Sequence, residues 1–396
     1  MPEMRPSGAT QAAPMQGAAP IRNRFDRAEL AGAFGDFGTL IPFVVAYINL
    51  LGLDPFGVLL SFGASMIAVG VFYKTPIPVQ PMKAIGAIAT TQAAQTATVT
   101  AGAVYGASLV TGAIWLVLGM TGAAKRVADI VSRPVAIGII LGLGLSFMLD
   151  GAKLMAAGWW LSGATLFITL VLLTNRKVPA MFLLLAGGAV VALIRDPALL
   201  TALSEVRLAP RLPSFALGSM SWSELTIGTV FLALPQVPLT LGNAIIAITD
   251  ENNRLFPERP VSERKVAIST GMMNLCSAAL GGVPMCHGAG GMAGHVAFGA
   301  RTGGALILLG GVLLLLALFL SSSVETIFRM VPPEVLGVIL FLAGAQLALG
   351  SCDISKDKGE RFTTVLTAGL AMWNIGVAFV LGLAVYHAFK RRWIRV

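Results

Sequence analysis

Lys83 is the one lysine or arginine inside a long apolar segment of this chain, and it lies two positions past Pro81 in Thr75-Pro-Ile-Pro-Val-Gln-Pro-Met-Lys-Ala84. Pro76, Pro78 and Pro81 forbid a continuous helix through the stretch and favour an extended approach. The proline-free run from Met82 to Thr91 then allows a helix of about ten residues, roughly 15 Å long, against about 30 Å for a bilayer's hydrocarbon core. Such a helix, starting in mid-membrane, aims unpaired backbone N–H groups and the positive end of its dipole at whatever precedes it. With an ammonium in the first turn, the chemistry on offer is anion binding. An unpaired ammonium there is costly, so a partner is expected, either a bound anion or a permanent ion pair with Asp36, the one carboxylate well inside the first apolar segment.

A second interrupted stretch, Gly281-Gly-Val-Pro-Met-Cys-His-Gly-Ala-Gly-Gly-Met-Ala-Gly294, repeats the pattern with Pro284 marking a helix start and glycines that admit a ligand or another backbone. Backbone donors at Met82 to Lys83 and at Met285, Cys286, His287 and Gly288 are expected to hold oxygens, with help from the Gln80 amide. Gln236 stands between Pro235 and Pro238, and Thr240 and Asn243, four and seven residues on, share its helical face. Asp36 sits among Gly32, Gly35 and Gly38; it either carries a coupling proton or balances the charge of Lys83. Amides in such places also bridge helices, and the glycines also permit tight packing. Other chemistries lack their residues. Cys286 and His287 have only His295 nearby, short of a zinc set, so no metal site is expected. No Ser, His and acid grouping suggests hydrolysis, and no Gly-x4-Gly-Lys-Ser/Thr loop exists to bind ATP, so neither an enzyme nor a cofactor is expected.

These residues need a membrane to be positioned in. The chain is 56% hydrophobic and 12% charged over 396 residues, with a mean hydropathy of +0.81. That composition belongs to one integral membrane domain rather than a soluble fold. Three cysteines in separate contexts, Cys276, Cys286 and Cys352, give no disulfide framework. Residues 1–27 read as a disordered cytoplasmic tail, 28–194 as a first transmembrane repeat, 195–223 as a connector, 224–390 as a second repeat and 391–396 as a short tail. Apolar spans are expected at about 28–50, 55–73, 82–91, 101–120, 134–149, 152–173 and 178–194. A second set follows at 224–248, 266–280, 284–298, 303–320 and 333–349, and the last run, 362–389, divides in two around Asn374 and Gly376.

The halves echo each other. Pro134-Val-Ala-Ile-Gly138-Ile-Ile-Leu matches Pro333-Glu-Val-Leu-Gly337-Val-Ile-Leu, and Pro81-Met82 matches Pro284-Met285, each pair at the same ordinal position in its half. Seven spans per half invert the second repeat relative to the first. The fold class expected is therefore an all-α integral membrane protein with a seven-plus-seven inverted repeat, in which half-helices of the third and tenth spans meet at the midplane; a twelve-span count, two helices fewer, is the alternative. With a cytoplasmic N-terminus, all lysines and arginines fall inside except Lys83, Lys153, Arg195, Arg207, Arg211 and Arg329. The net charge of +9 thus sets orientation, with both termini cytoplasmic, and does not indicate nucleic acid.

Four blocks carry a family resemblance: Glu29-Leu-Ala-Gly-Ala-Phe-Gly-Asp-Phe-Gly-Thr-Leu-Ile-Pro42, Pro78-Val-Gln-Pro-Met-Lys-Ala84, Leu234-Pro-Gln-Val-Pro-Leu-Thr-Leu-Gly-Asn243 and Gly281-Gly-Val-Pro-Met-Cys-His-Gly-Ala-Gly-Gly291. In this order they resemble the signature blocks of the molybdate transporter family related to the SulP sulfate permeases. The resemblance implies core and gate subdomains, substrate between the third and tenth helices, a homodimer, and a bacterial cytoplasmic membrane as the setting. SulP proteins usually carry a cytosolic STAS domain after the last helix, whereas this sequence runs seven residues beyond Phe389; that departure favours molybdate, with sulfate as the alternative oxyanion. A membrane-embedded enzyme and a passive anion channel are the alternatives of other classes.

Overall fold

The computed structural model describes residues 22–91, 98–123, 132–172, 180–206, 208–213, 215–349 and 355–394. Residues 1–21 of the expected N-terminal tail, and Lys125, Arg126, Arg176, Lys177, Arg207, Cys352 and Arg395, lie outside them. Helices α1 (Arg27–Ala33), α2 (Phe37–Leu51) and α3 (Pro55–Tyr73) lead to a two-residue strand β1 (Gln80–Pro81) and the short α4 (Lys83–Thr91). The first half continues with α5 (Ala101–Thr121), α6 (Arg133–Met155), α7 (Trp159–Leu172), α8 (Ala180–Arg195) and α9 (Ala198–Ser204). A long helix α10 (Trp222–Leu255) opens the second half. After it come α11 (Glu263–Ala279), strand β2 (Met285–Cys286), α12 (Ala289–Ala297), α13 (Gly304–Leu320), α14 (Val324–Arg329), α15 (Pro333–Leu349), α16 (Lys358–Ala371) and α17 (Ile375–Lys390). Among the described residues, α3, α5, α6, α10 and the Gly304–Ser323 run are long and apolar enough to cross a membrane.

Several boundaries differ from the sequence reading for identifiable reasons. The first span is not continuous: α1 ends at Phe34, and Asp36 takes the cap position of α2, its carbonyl accepting from Thr39 and Leu40. The eighth span runs to 34 residues because Pro235 and Pro238 are absorbed by π-helical turns on either side instead of ending the helix. The connector is partly helical, since α8 turns through 112° into α9. The break expected near Asn374 is present, and the Asn374 side chain caps α17 by accepting from Val377 N–H at 3.0 Å.

Long helices pack as antiparallel pairs across the two halves. Gly63 and Gly70 of α3 face Gly310 of α13 and Gly303 just before it; a Cβ on Gly310 would lie 2.7 Å from the Gly63 carbonyl oxygen. Residue numbers rise along one helix as they fall along the other, so only small residues permit this approach. In α5 and α11, Gly112 meets Leu275 and Gly119 meets Ile268; in α6 and α15, Gly144 meets Gly344 and Gly151 meets Gly337.

At one end, Glu29 is fully buried and joins these layers. One carboxylate oxygen accepts from Arg301 and Thr302 N–H at 3.0 and 2.9 Å, the other from Ala305 N–H at 3.2 Å. Gly303 offers no side chain to cap α13, so the carboxylate from α1 supplies the acceptor, in the sense the helix dipole favours.

Candidate functional site

The two interrupted segments cross. Gln80 pairs with Cys286 and Pro81 with Met285 in an antiparallel ladder, and Met82 N–H donates to the Pro284 carbonyl at 2.8 Å. Proline supplies no N–H, which keeps the ladder to this length. Side chains from α11 hold the second strand in place. Asn274, fully buried, donates to the Met285 carbonyl at 2.6 Å and accepts from Met285 N–H at 2.9 Å, while Ser277 donates to the Val283 carbonyl at 2.7 Å. Helix α12 therefore starts at Ala289 with Gly288 as its cap, five residues later than the start read at Pro284, because residues 284–286 are held extended by β1 and Asn274.

His287 is also occupied. Its Nδ1 lies 2.8 Å from the Pro78 carbonyl and its Nε2 2.8 Å from the Ser269 hydroxyl, which is 2.7 Å from the Tyr73 hydroxyl. A carbonyl only accepts, so Nδ1 carries the proton, and Nε2 faces the Ser269 hydroxyl, which also donates to the Val266 carbonyl at 3.0 Å. The imidazole pins the proline-rich approach to α11, and it has no ring nitrogen left for an oxyanion. Two expected backbone donors are spent as well: Met82 N–H on Pro284, and Met285 N–H on Asn274.

Helix α4 has nine residues, roughly 13 Å of length. Its Ala84 and Ile85 N–H groups donate to Gln236 Oε1 at 2.9 and 3.2 Å. The amide nitrogen of Gln236 donates in turn to Thr240 Oγ1 at 2.9 Å. One neutral oxygen thus sits on the helix N-terminus where an oxygen of an anion would sit. Lys83, the first residue of α4, is 8% exposed and has no hydrogen bond or ion pair among the described residues. The ion pair with Asp36 weighed from sequence is not formed: Asp36 Oδ2 accepts from Gln80 Nε2 at 2.6 Å.

Around the start of α12, the Gln80 amide lies against Gly288 and Gly291. Its nitrogen occupies the place of a Gly291 Cβ and its oxygen that of a Gly288 Cβ, and Asp36 Oδ2 would be 2.6 Å from a Cβ on Gly291. Asn243 Nδ2 lies 3.5 Å from the Cβ position of Gly288, whereas Gly290 faces open space. Gln80 Oε1 is buried with no partner. Lys83, Gln80, Pro81, Met82, Gln236, Asp36, Met285, Cys286, His287 and Gly288 are thus brought to one crossing, with Thr240 behind Gln236 and Asn243 beside α12.

The sequence reading missed three residues. Glu29 stood at the head of a quoted block but was passed over for Asp36. Asn274 carried the signal of an amide inside an apolar span. Tyr47, fully buried, has a hydroxyl without a partner, 3.3 Å from the Cβ position of Gly86 on α4; a tyrosine in a hydrophobic run gives no such warning.

The family profile described as molybdate transporter of the MFS superfamily matches residues 28–147 and 228–347, two segments of equal length. Molybdate transporter 2 of Arabidopsis thaliana is 32% identical over 92% of this chain and 87% of its own, and molybdate transporter 1 of the same plant is 31% identical over 91% and 87%. Among solved structures, the transmembrane domain of the cyanobacterial bicarbonate transporter BicA superposes with a TM-score of 0.59 at 14% identity, covering 91% of this chain and 97% of that one. Murine Slc26a9, an anion transporter in the inward-facing state, gives 0.65 at 13% identity, covering 93% and 69%. The helical fold is that of these anion transporters, and this integral membrane chain belongs to the molybdate transporter family.

Proposed function

We propose that this chain is a secondary transporter that carries molybdate across the cytoplasmic membrane by alternating access, holding the dianion at the crossing of β1 and β2. The observation that carries the reading is Lys83, a buried cation at the first position of a short helix that makes no hydrogen bond or ion pair among the described residues. A lone ammonium at bilayer depth costs about 3 kcal/mol on insertion scales. A bound dianion offsets that cost, and Asp36, the acid weighed as its partner, is already engaged by Gln80. In this reading Lys83 gives the charge, Gln80 and Gln236 donate or yield their places to substrate oxygens, and Gly288 leaves room at α12. Pro81, Met82, Met285, Cys286 and His287 shape and hold the crossing, Thr240 and Asn243 orient the amides, and Asp36 serves coupling or charge balance.

The architecture belongs to the same proposal. Two inverted seven-span repeats, residues 28–194 and 224–390 joined by 195–223, place α4 and α12 as facing half-helices at the midplane. Exchange of the halves turns the α3–α13 pair into the α11–α5 pair, which supports this reading. The distribution of basic residues supports cytoplasmic termini. Assembly as a homodimer, implied by the family resemblance, is tested by the mass of the detergent-solubilised protein.

Tracer molybdate uptake into proteoliposomes, with and without excess sulfate, tests the function. Saturable uptake that survives sulfate and is lost in Lys83→Ala supports a molybdate-selective carrier. Loss to sulfate competition moves the substrate to sulfate, unsaturable conduction makes the protein a channel, and undiminished uptake by folded Lys83→Ala removes Lys83 from the site.

A further inference from the structure

A cleft of about 780 Å³ opens beside the site, walled by the C-terminal ends of α2, α6 and α8 and by the N-terminal end of α15. These ends share one face of the molecule, the face that carries Lys153, Arg195 and Arg329, all of which line the cleft. Each of the three has a carboxylate partner, respectively Asp150 at 2.8 Å, Glu334 at 2.6 Å and Asp196 at 3.4 Å, and each cation is itself half exposed or more. The Lys153–Asp150 and Arg329–Asp196 pairs are open to water on both sides, hence screened and exchangeable, while the buried Glu334 holds Arg195 in place; the rim thus presents balanced charge that does not trap an anion.

At the inner end of the cleft, Phe43 of α2 and Phe147 of α6 meet edge to face with ring centroids 5.2 Å apart. Both line the cleft, and both are at most 6% exposed. Phe43 also rests on the α4 backbone, where its ring fills the space of a Gly86 Cβ. Gly86 is three residues, or about 4.5 Å of helix rise, from Lys83. The partnerless hydroxyl of Tyr47, one helical turn on from Phe43, lies on that inner side as well. Two aromatic rings from different elements therefore stand between a wide cleft lined by ion pairs and a region holding two donors, Lys83 and Tyr47, unmatched among the described residues.

We propose that the Phe43–Phe147 contact is a closed gate, and that the oxyanion passes between this face and Lys83 through the cleft when the rings part. The proposal rests on the alternating-access reading above. A ring contact suits the task because it seals by area and geometry without a fixed charge that would trap or repel a dianion.

The test uses the full chain with Cys276→Ser and Cys352→Ser, leaving Cys286 in the strand paired with Gln80, and a membrane-impermeant sulfonated thiol reagent applied to either side of oriented vesicles. With the gate intact, Cys286 resists modification from the cleft face. Phe147→Ala is expected to raise its modification rate about tenfold from that face alone, the scale of one lost aromatic contact in a closed-to-open equilibrium, with Phe147→Leu intermediate. Separately, Ala46→Cys, on the cleft wall, is expected to lose molybdate uptake when modified from the same face. An unchanged Cys286 rate in folded Phe147→Ala, or full uptake by modified Ala46→Cys, overturns the gate. Should Phe147→Ala fail to fold, the Leu variant and Ala46→Cys decide. A chain that transports but shows neither effect loses the gate and keeps the function; one that shows the Cys286 effect but moves no anion keeps the gate and loses the function.

Discussion

The starts of α4 and α12 meet through one small ladder, yet they are built oppositely. At α4 the first residue is a lysine, and the next two N–H groups are already satisfied by Gln236. At α12 there is no cation; Gly288, Gly290 and Gly291 leave space that Gln80 and Asp36 fill from one side and nothing fills from the other. One start contributes charge and is crowded, the other contributes room and is neutral. Under the proposed repeat these demands separate: each half supplies one strand and one helix start to the crossing, while the side chains specialise. A single helix start would have to accommodate cation, cap and ligand at once.

Moving the charge is the harshest way to break this contrast. Lys83→Ala combined with Ala289→Lys keeps the total charge but shifts it to the start of α12, close to Asp36. Uptake is expected to stay about 100-fold below wild type, because the new lysine pairs with that carboxylate and truncating a buried charge contact costs about 2–5 kcal/mol; restored uptake would falsify the division of labour. Gly291→Ala comes next, since its Cβ would collide with the Gln80 amide and press on Asp36. An overpacking cost of about 1–3 kcal/mol should appear as a lower melting temperature and roughly tenfold weaker uptake, while Gly290→Ala, in open space, should leave both unchanged. Equal effects at the two glycines would remove the argument for a one-sided site.

Asn274→Leu sharpens the comparison from the scaffold side. It removes both bonds to Met285, and a buried backbone pair left unmatched costs about 1–3 kcal/mol, read as a loss of thermal stability in detergent with a smaller loss of uptake. The mildest change is Gln236→Ala, which uncovers the Ala84 and Ile85 N–H groups. Loss of a helix cap costs about 1 kcal/mol of stability, but an anion no longer has to displace the amide oxygen. The apparent KM for molybdate should therefore fall or stay level. A large rise in KM would make Gln236 a direct ligand instead of a stand-in for one.

How much of this could be read from residues alone depended on whether the cause was local. Proline spacing foretold the extended approach and short helix at residues 75–91, and Asn374 foretold the break before α17, because both effects act within a few residues. The late start of α12 was hidden: Pro284 permits a helix, and only strand pairing with Gln80–Pro81 and the clamp from Asn274, both remote in sequence, prevent one. The choice between the two readings of Asp36 was hidden for a similar reason. Charge suggested Lys83, but the break after Phe34 and the path of β1 bring the Gln80 amide there first. His287 looked like a cavity residue until Pro78 and Ser269 took both of its nitrogens.

The Glu29 clamp has a consequence for how the protein is made. Its carboxylate is buried and, among the described residues, satisfied by N–H groups of Arg301, Thr302 and Ala305, so the first helix is expected to reach its final packing only once the chain has been made past residue 305. A nascent chain cut short before residue 301 carries an unmatched acid that favours water over the bilayer. The clamp therefore ties the packing of the first helix to the far half of the chain, and truncation ahead of residue 301 is expected to lower the stability of what remains.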